Sequence, residues 1–293
     1  MWRCARVFDR IRPMSSYAIS SLWRYPVKSM AGEEVEAVDV TAAGLTGDRA
    51  YALVDTANGK VGSAKSVRKF GGLLKSQARF VTPPATGAPA PPVRITLVDG
   101  AVCRSDQPDL DAVLAAAFGP QVSLVSAAPS GLMLEFAAGT LGGKFAETTE
   151  LPVASAAPPG RLFDYACVHL ITTATLRRLA AEYPGGQFAI QRFRPNLVVE
   201  CGEVSGFVEN SWAGRTLAIG PDLVLNVSIP CPRCVMTTLP RTDLPLDPGI
   251  LRTAAQLNKL DLGDFGSLPC VGVYADVVKP GRIERGDPVR LAD

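Results

Sequence analysis

Glycine and proline interrupt this chain along its whole length, which limits it to short regular elements. The 293 residues include 27 glycines and 24 prolines. The apolar residues between them come mostly in short, β-branched runs, which favour strands. Regular crossover helices do not separate these runs, so a doubly wound parallel sheet is not expected. The sequence predicts a mainly β protein, a β-barrel core with a few added helices.

Periodicity and turn residues locate the individual elements. Strands are predicted at residues 16–23, 32–40, 49–54, 77–82, 93–98, 167–171, 197–200, 216–219, 223–229 and 271–278. Helices are predicted at residues 110–118, 172–183 and 252–260, the second with Thr172 or Thr173 as its cap. Residues 126–160 have no regular pattern and predict a connection between two domains, 16–128 and 129–293.

Charge and cysteine content exclude several classes of protein. Thirty Lys and Arg against 28 Asp and Glu give a net charge of +2, too balanced for a general nucleic-acid binder. Seven cysteines are too few for a disulfide scaffold, and no apolar run reaches the ~18 residues of a membrane span. The basic residues 1–14 lack the apolar core of a signal peptide, so they are either a leader or precede a true start at Met14. A cytoplasmic protein is expected.

The sharpest local motif is Cys231-Pro232-Arg233-Cys234, for which three interpretations remain open. A structural zinc site needs a second pair of soft ligands, but the other cysteines are solitary and His169 is the single histidine. A redox pair should begin a helix, whereas β-branched residues and then Pro240 follow here. In the third interpretation one thiolate binds a soft metal and the other cysteine packs in the structure.

Two further clusters could bind an anion. In Phe193-Arg194-Pro195-Asn196, proline predicts an extended backbone at Arg194. Its guanidinium beside an amide suits a phosphate or a planar heterocycle, although a solvated surface turn is the alternative. Lys28, Ser29 and Arg49 lie between short strands and could hold a phosphate, or they could be ordinary surface. His169 lies in an apolar strand, which indicates a core histidine rather than a proton shuttle.

Six motifs together resemble one family. They are YPVKSM (25–30), GLTGDRAYALVD (44–55), VHLITTATL (168–176), RFRPNLVVE (192–200), NSWAGRTLAIG (210–220) and CPRCVMTT (231–238). Their order and spacing resemble MOSC-domain proteins, named after the C-terminal domain of molybdenum-cofactor sulfurase. Within that family the chain is most similar to the amidoxime-reducing components and their bacterial relatives. The resemblance extends from about residue 16 to residue 291.

The resemblance implies a fold, a cofactor and a set of site residues. An N-terminal MOSC-associated β-barrel-like domain would precede the MOSC β-barrel, with a molybdenum–molybdopterin cofactor between them. Cys234 matches the thiolate that binds molybdenum. The other matching positions are Lys28, Ser29 and Arg49 in the first domain and Thr172, Thr173, Arg194, Asn196, Pro232 and Arg233 in the second. Thr172-Thr173 replaces a Ser-Glu pair of the mitochondrial relatives, and Pro232 replaces a serine.

The implied activity is the reduction of N-hydroxylated compounds such as amidoximes, N-hydroxylated base analogues and hydroxylamines. The chain has no cysteine cluster for a ferredoxin domain, so an external donor of the flavin reductase, ferredoxin or cytochrome type is expected. One alternative is a non-catalytic carrier of sulfur or of the cofactor, with a persulfide on Cys231 or Cys234. A weaker alternative is a pyridoxal-phosphate site at Lys28.

Overall fold

The computed structural model describes residues 17–119, 121–126, 133–137, 148–152 and 162–292. Their strands are β1 Tyr17–Arg24, β2 Glu33–Val35, β3 Ala37–Thr41, β4 Gly44–Leu45, β5 Ala52–Asp55, β6 Lys60–Val61, β7 Gln77–Phe80, β8 Val93–Thr96, β9 Val102–Arg104, β10 Val122–Val125, β11 Met133–Ala137, β12 Thr148–Pro152, β13 Val168–Thr172, β14 Leu197–Glu200, β15 Thr216–Ile219, β16 Leu223–Pro232, β17 Lys259–Asp261, β18 Ser267–Lys279, β19 Gly281–Glu284 and β20 Pro288–Ala292. Their α-helices are α1 Val67–Phe70, α2 Leu110–Phe118, α3 Thr173–Glu182, α4 Ile190–Phe193 and α5 Gly249–Leu257.

Seven strands close into a β-barrel, which confirms the predicted fold class. Their order is β13-β14-β1-β20-β15-β16-β18, and β18 pairs again with β13. The first strand of the chain is therefore part of the barrel: Leu22 lies opposite Leu197, and Tyr17 lies opposite Val289. Leu22, Leu197 and other fully buried aliphatic side chains fill the barrel interior. The barrel consequently needs strands from both ends of the chain.

Strands β3 and β4 form a small sheet with β19, and most of the remaining N-terminal half forms two others, β10-β5-β6-β11-β12 and β7-β8-β9. Leu53, Leu73, Ile95 and Leu114 belong to their shared core, against which α2 packs. The prediction that residues 126–160 are irregular is wrong for β11 and β12, which form an antiparallel pair attached to β6. Neither segment, MLEFA or TTELP, has the β-branched apolar run that indicated the other strands.

Three predictions concern residues outside those that the structure describes, so they stay predictions. They are the domain boundary at residues 128/129, the proline pair at 158–159 and the leader at residues 1–14.

Helix α2 has the predicted bounds, and the predicted cap of α3 is confirmed because Thr172 Oγ1 accepts from the Thr175 amide at 3.2 Å. Helix α5 begins earlier than predicted, after Pro248, and residues 259–261 form a strand instead.

The N-terminal domain contacts the barrel where several loops converge. Ala64 and Leu74 pack against Leu239, next to Val235 and Met236. This contact brings the turn after β1 and the loop after β6 to the segments around residues 162–164, 193–196 and 231–241. In the part of the chain described, no helix has the length and apolar character needed to cross a membrane.

A candidate anion and thiolate site between the two domains

Tyr25 lies at the centre of the turn that follows β1. Its ring is 2% exposed, with the guanidinium carbons of Arg49 and Arg194 at 4.4 and 4.2 Å from the ring centroid. Its hydroxyl donates to the Pro195 carbonyl at 3.0 Å. Burial raises the pKa of Tyr25 to about 12, although the two arginines act against this. The phenol therefore stays neutral and connects the N-terminal turn to the Arg194 turn.

Arg194 is buried, but its backbone is not extended as predicted. It has φ 56° and ψ 47°, the left-handed conformation, and its amide donates to the Ile190 carbonyl at 2.9 Å to end α4. The prediction of an extended backbone is wrong because Arg194 ends helix α4, and residues that end helices often adopt the left-handed conformation. The proline that follows restricts the backbone of Arg194 but does not alone determine it. The guanidinium donates to the Met30 carbonyl at 2.5 Å, so the surface-turn alternative is also wrong.

The side chain of Asn196 makes hydrogen bonds to three other residues of the protein. Its amide nitrogen donates to the Asp48 carboxylate at 2.9 Å and the Trp23 carbonyl at 3.2 Å, and its oxygen accepts from the His169 amide at 3.1 Å. Asp48 also accepts from the Tyr25 amide at 2.8 Å and from Arg49. Asn196 and Asp48 therefore hold the turns that present Arg49 and Arg194.

Asp164 joins two lysines at the opposite side of the cluster. Lys28 Nζ donates to Asp164 and to the Leu162 carbonyl at 2.7 Å, and Lys65 Nζ lies 3.0 Å from the other Asp164 oxygen. Burial would raise the pKa of Asp164, but the two ammonium groups hold it well below its usual range. Burial lowers the pKa of Lys28, and Asp164 acts in the other direction. Ser29, with φ 66°, accepts from the Ala64 amide at 3.1 Å.

The two cysteines of the motif have different surroundings. Cys231 is fully buried, and its sulfur accepts from Arg233 at 2.8 Å, as a packed thiol would. Cys234 is partly exposed and precedes the short 3₁₀ helix Val235–Thr237. Burial would lower the pKa of Lys65, but Asp164 and then Cys234 raise it above its ordinary value. Cys234 is thus close enough to Lys65 and Arg233 to interact electrostatically with both.

Arg241 is a member of the cluster that the sequence did not reveal. Its side chain is 8% exposed and donates to the Arg192 and Met236 carbonyls at 3.0 and 3.2 Å. Burial, and then Arg194, lower its pKa to about 9. Its loop has no periodicity or motif that would have indicated this position. The Nε atoms of Arg241 and Arg233 are both buried without a hydrogen-bond partner.

These groups form what we call the cation cluster: Lys28, Arg49, Lys65, Arg194, Arg233 and Arg241. Among the described residues, Asp48 and Asp164 are the carboxylates that pair within it. Six cations against two carboxylates leave four positive charges, and two donor atoms lack acceptors. Such a cluster suits an anion with several oxygen acceptors. In the described ranges no three metal-binding side chains converge.

Thr172 and Thr173 lie away from the cation cluster. Thr172 lies opposite Val199, three residues and about 10 Å along β13 from His169. Its hydroxyl donates to Glu209 at 2.7 Å, and that of Thr173 accepts from Arg177 at 3.2 Å. The hydroxyls of these two residues therefore bond to groups outside the cation cluster, whereas Pro232 adjoins Arg233 at the end of β16.

His169 has the surroundings of a core residue, as expected. It is 5% exposed, and its Nε2 lies 3.3 Å from the Val271 carbonyl. Burial, and then Arg233, lower its pKa to about 3. The imidazole is therefore neutral at physiological pH.

Comparison with known proteins adds family information. The profile of the MOSC N-terminal beta barrel domain matches residues 16–71, and that of the MOSC domain matches residues 160–290. Mouse mitochondrial amidoxime-reducing component 1 is 27% identical over 317 residues, covering 99% of this chain and 86% of that protein. Rat mitochondrial amidoxime reducing component 2 is 34% identical over 140 residues, covering 44% of this chain and 38% of that protein. The YuaD protein from Bacillus subtilis superposes with a TM-score of 0.43 at 11% identity, covering 94% of each chain.

Proposed function

Because the chain belongs to the MOSC-domain family, which is related to the molybdenum cofactor, we propose that it is a molybdenum-dependent reductase of N-hydroxylated compounds. The observation that carries this proposal is the partly exposed Cys234 thiol beside a cluster with four excess positive charges. The substrate class comes from the amidoxime-reducing components that the chain resembles.

The residues present fit a molybdenum–molybdopterin cofactor. Cys234 would bind the metal, because a thiolate is a ligand that soft metals prefer. Arg194, Arg233 and Arg241 would bind the phosphate and the heterocycle, and the two unpartnered Nε atoms would gain acceptors. When bound, the cofactor supplies the two-electron redox chemistry. Its anionic phosphate would offset the repulsion among the buried guanidinium groups.

The chain's own groups position the cofactor. Tyr25, between Arg49 and Arg194, fixes the direction of both guanidinium groups. In the overall reaction the N–O bond breaks, and two electrons and two protons convert N–OH into N–H and water. The electrons come from an external donor protein of the flavin reductase, ferredoxin or cytochrome type. Lys65, whose side chain is 18% exposed and whose pKa is raised, stays positively charged beside the site, so the protons would come from water.

The direct test is the metal content, the visible spectrum and the turnover of the purified protein. We expect molybdenum, a molybdopterin absorbance and reduction of benzamidoxime with an artificial electron donor. Cyanide-labile sulfur without turnover would instead identify a carrier with a persulfide on Cys231 or Cys234. A pyridoxal-phosphate absorbance that disappears in Lys28→Ala would identify the other alternative. Either result contradicts the reductase.

The position of Thr172 gives a prediction about stability. Thr172→Val removes a helix cap, worth about 1 kcal/mol, and one of the hydroxyl donors to the buried Glu209 carboxylate. We expect the free energy of unfolding to fall by about 1–3 kcal/mol while the molybdenum content of the folded protein stays unchanged. Urea unfolding and metal analysis measure both quantities. Unchanged stability with lost molybdenum would show that Thr172 binds the cofactor after all.

A further inference from the structure

Three aromatic side chains form a row from the protein surface to the cysteine motif. The ring of Phe265 is 55% exposed and meets Tyr165 edge to face, with centroids 6.0 Å apart at 85°. Tyr165 in turn packs on Tyr274 at 5.3 Å and 39°. Tyr165 and Tyr274 are both half-buried. We call these three residues the aromatic row.

The inner end of the aromatic row reaches the candidate site. Tyr274 lies opposite His169 in the pairing of β13 with β18, with their ring centroids 5.7 Å apart, and the His169 amide donates to Asn196 Oδ1 at 3.1 Å. In the pairing of β16 with β18, Val273 lies opposite Pro230 and Cys270 lies opposite Pro232, so Tyr274 is on the strand beside the cysteine motif. Tyr165 directly follows Asp164, the carboxylate that holds the two lysines of the site.

The outer end of the row is fixed by a tight turn. Phe265 lies at the tip of the β17–β18 hairpin, between Gly263 and Gly266, which have φ values of 63° and 71°. The Gly266 amide donates to the Gly263 carbonyl at 2.8 Å, and the Leu262 amide donates to the Gly266 carbonyl at 3.0 Å. These backbone bonds keep the ring of Phe265 against Tyr165, with more than half of its surface in water.

We propose that the aromatic row is the binding surface for the planar aryl portion of the substrate. This deepens the proposed function, on which it rests, by naming aryl-substituted N-hydroxylated compounds as the favoured substrates. A substrate whose N–OH group is near Cys234 would place its ring along Tyr165 and Phe265. Aromatic rings prefer edge-to-face and offset packing of the kind that the row already shows, so a further ring can extend the same arrangement.

The experiment measures binding and turnover separately, on cofactor-replete protein. Phe265→Ala and Tyr165→Ala should each weaken the binding of benzamidoxime about two- to tenfold by calorimetry and raise its KM equally, with little change in kcat. KM for hydroxylamine, which has no ring, should stay the same. Tyr165→Phe should retain most of the binding. The control is Val278→Ala, an equally exposed residue (63%) near the other end of β18.

The outcomes distinguish this inference from the proposed function. If both alanine variants bind benzamidoxime as tightly as wild type, or if wild type binds none, the aromatic row is not the aryl site. If wild type binds benzamidoxime through the row but reduces no N-hydroxylated compound, the aryl site stands and the reductase does not. Equal losses for benzamidoxime and hydroxylamine would indicate a structural role only and would overturn the inference.

Discussion

Cys234→Ala protein is expected to fold like wild type and to purify with more than about tenfold less molybdenum. Mutating a residue that only hydrogen-bonds a metal ligand already lowers metal affinity by about tenfold or more, and removing the ligand itself should lower it at least as much. Reduction of benzamidoxime should fall at least in proportion. The thiol is partly exposed at the start of a short 3₁₀ helix, so its removal leaves little cavity. Metal analysis, circular dichroism and turnover measure the three quantities.

The matched control for this variant is Cys103→Ala. Cys103 is 2% exposed in the core of the N-terminal domain and lies in strand β9, so its loss should lower stability without changing the metal content. Equal molybdenum in wild type and Cys234→Ala would exclude Cys234 as the ligand. Equal losses in both cysteine variants would point to a general folding defect instead.

Elements specified by nearby residues were predictable from the sequence. The bounds of α2 and the cap of α3 depend on residues within a few positions of each other. The hairpin between β5 and β6 is of the same kind, with Gly59 at φ 70° in its turn. The placement of β1 in the C-terminal barrel was not predictable, since alternation along a strand defines its buried face but not its partners.

The same distinction applies to the candidate site. The segments with Cys234 and Arg194 could be found because each is a short motif in which the chemical groups adjoin. Lys65, Asp164 and Arg241 come from loops without a pattern, and the fold alone brings them together. Thr172 stays a predicted cofactor-binding position, and its hydroxyl donates to Glu209, a buried carboxylate far along the chain that no local pattern indicates.

The left-handed backbone of Arg194 makes a glycine variant the sharpest test of its role. Arg194→Gly removes the guanidinium and relieves the cost of a positive φ, so the fold should be retained. A buried charge-assisted hydrogen bond is worth about 1.5–3 kcal/mol, so we expect cofactor retention to weaken roughly ten- to a hundredfold. Arg194→Ala should weaken cofactor retention by a similar factor. Arg194→Lys should restore only part of the retention, because an ammonium group cannot donate two parallel hydrogen bonds as a guanidinium does.

The stability of the cofactor-free variant separates a binding role from a structural one. Burial, and then Arg49, lower the pKa of Arg194 to about 10, so the cofactor-free protein holds this charge at a cost. The glycine variant loses the hydrogen bond to the Met30 carbonyl and the contact with the Tyr25 ring. It also loses the repulsion between Arg194 and Arg49 and the backbone strain of a positive φ. We therefore expect the cofactor-free Arg194→Gly protein to unfold at about the wild-type urea concentration, and the same variant to purify with little molybdenum.

Arg94→Ala is the control, because that exposed arginine of β8 lies opposite Arg79 and Arg104 and should keep the wild-type metal content. Wild-type molybdenum in Arg194→Gly would make this turn a scaffold, and an early unfolding transition with normal metal content would make Arg194 a structural residue.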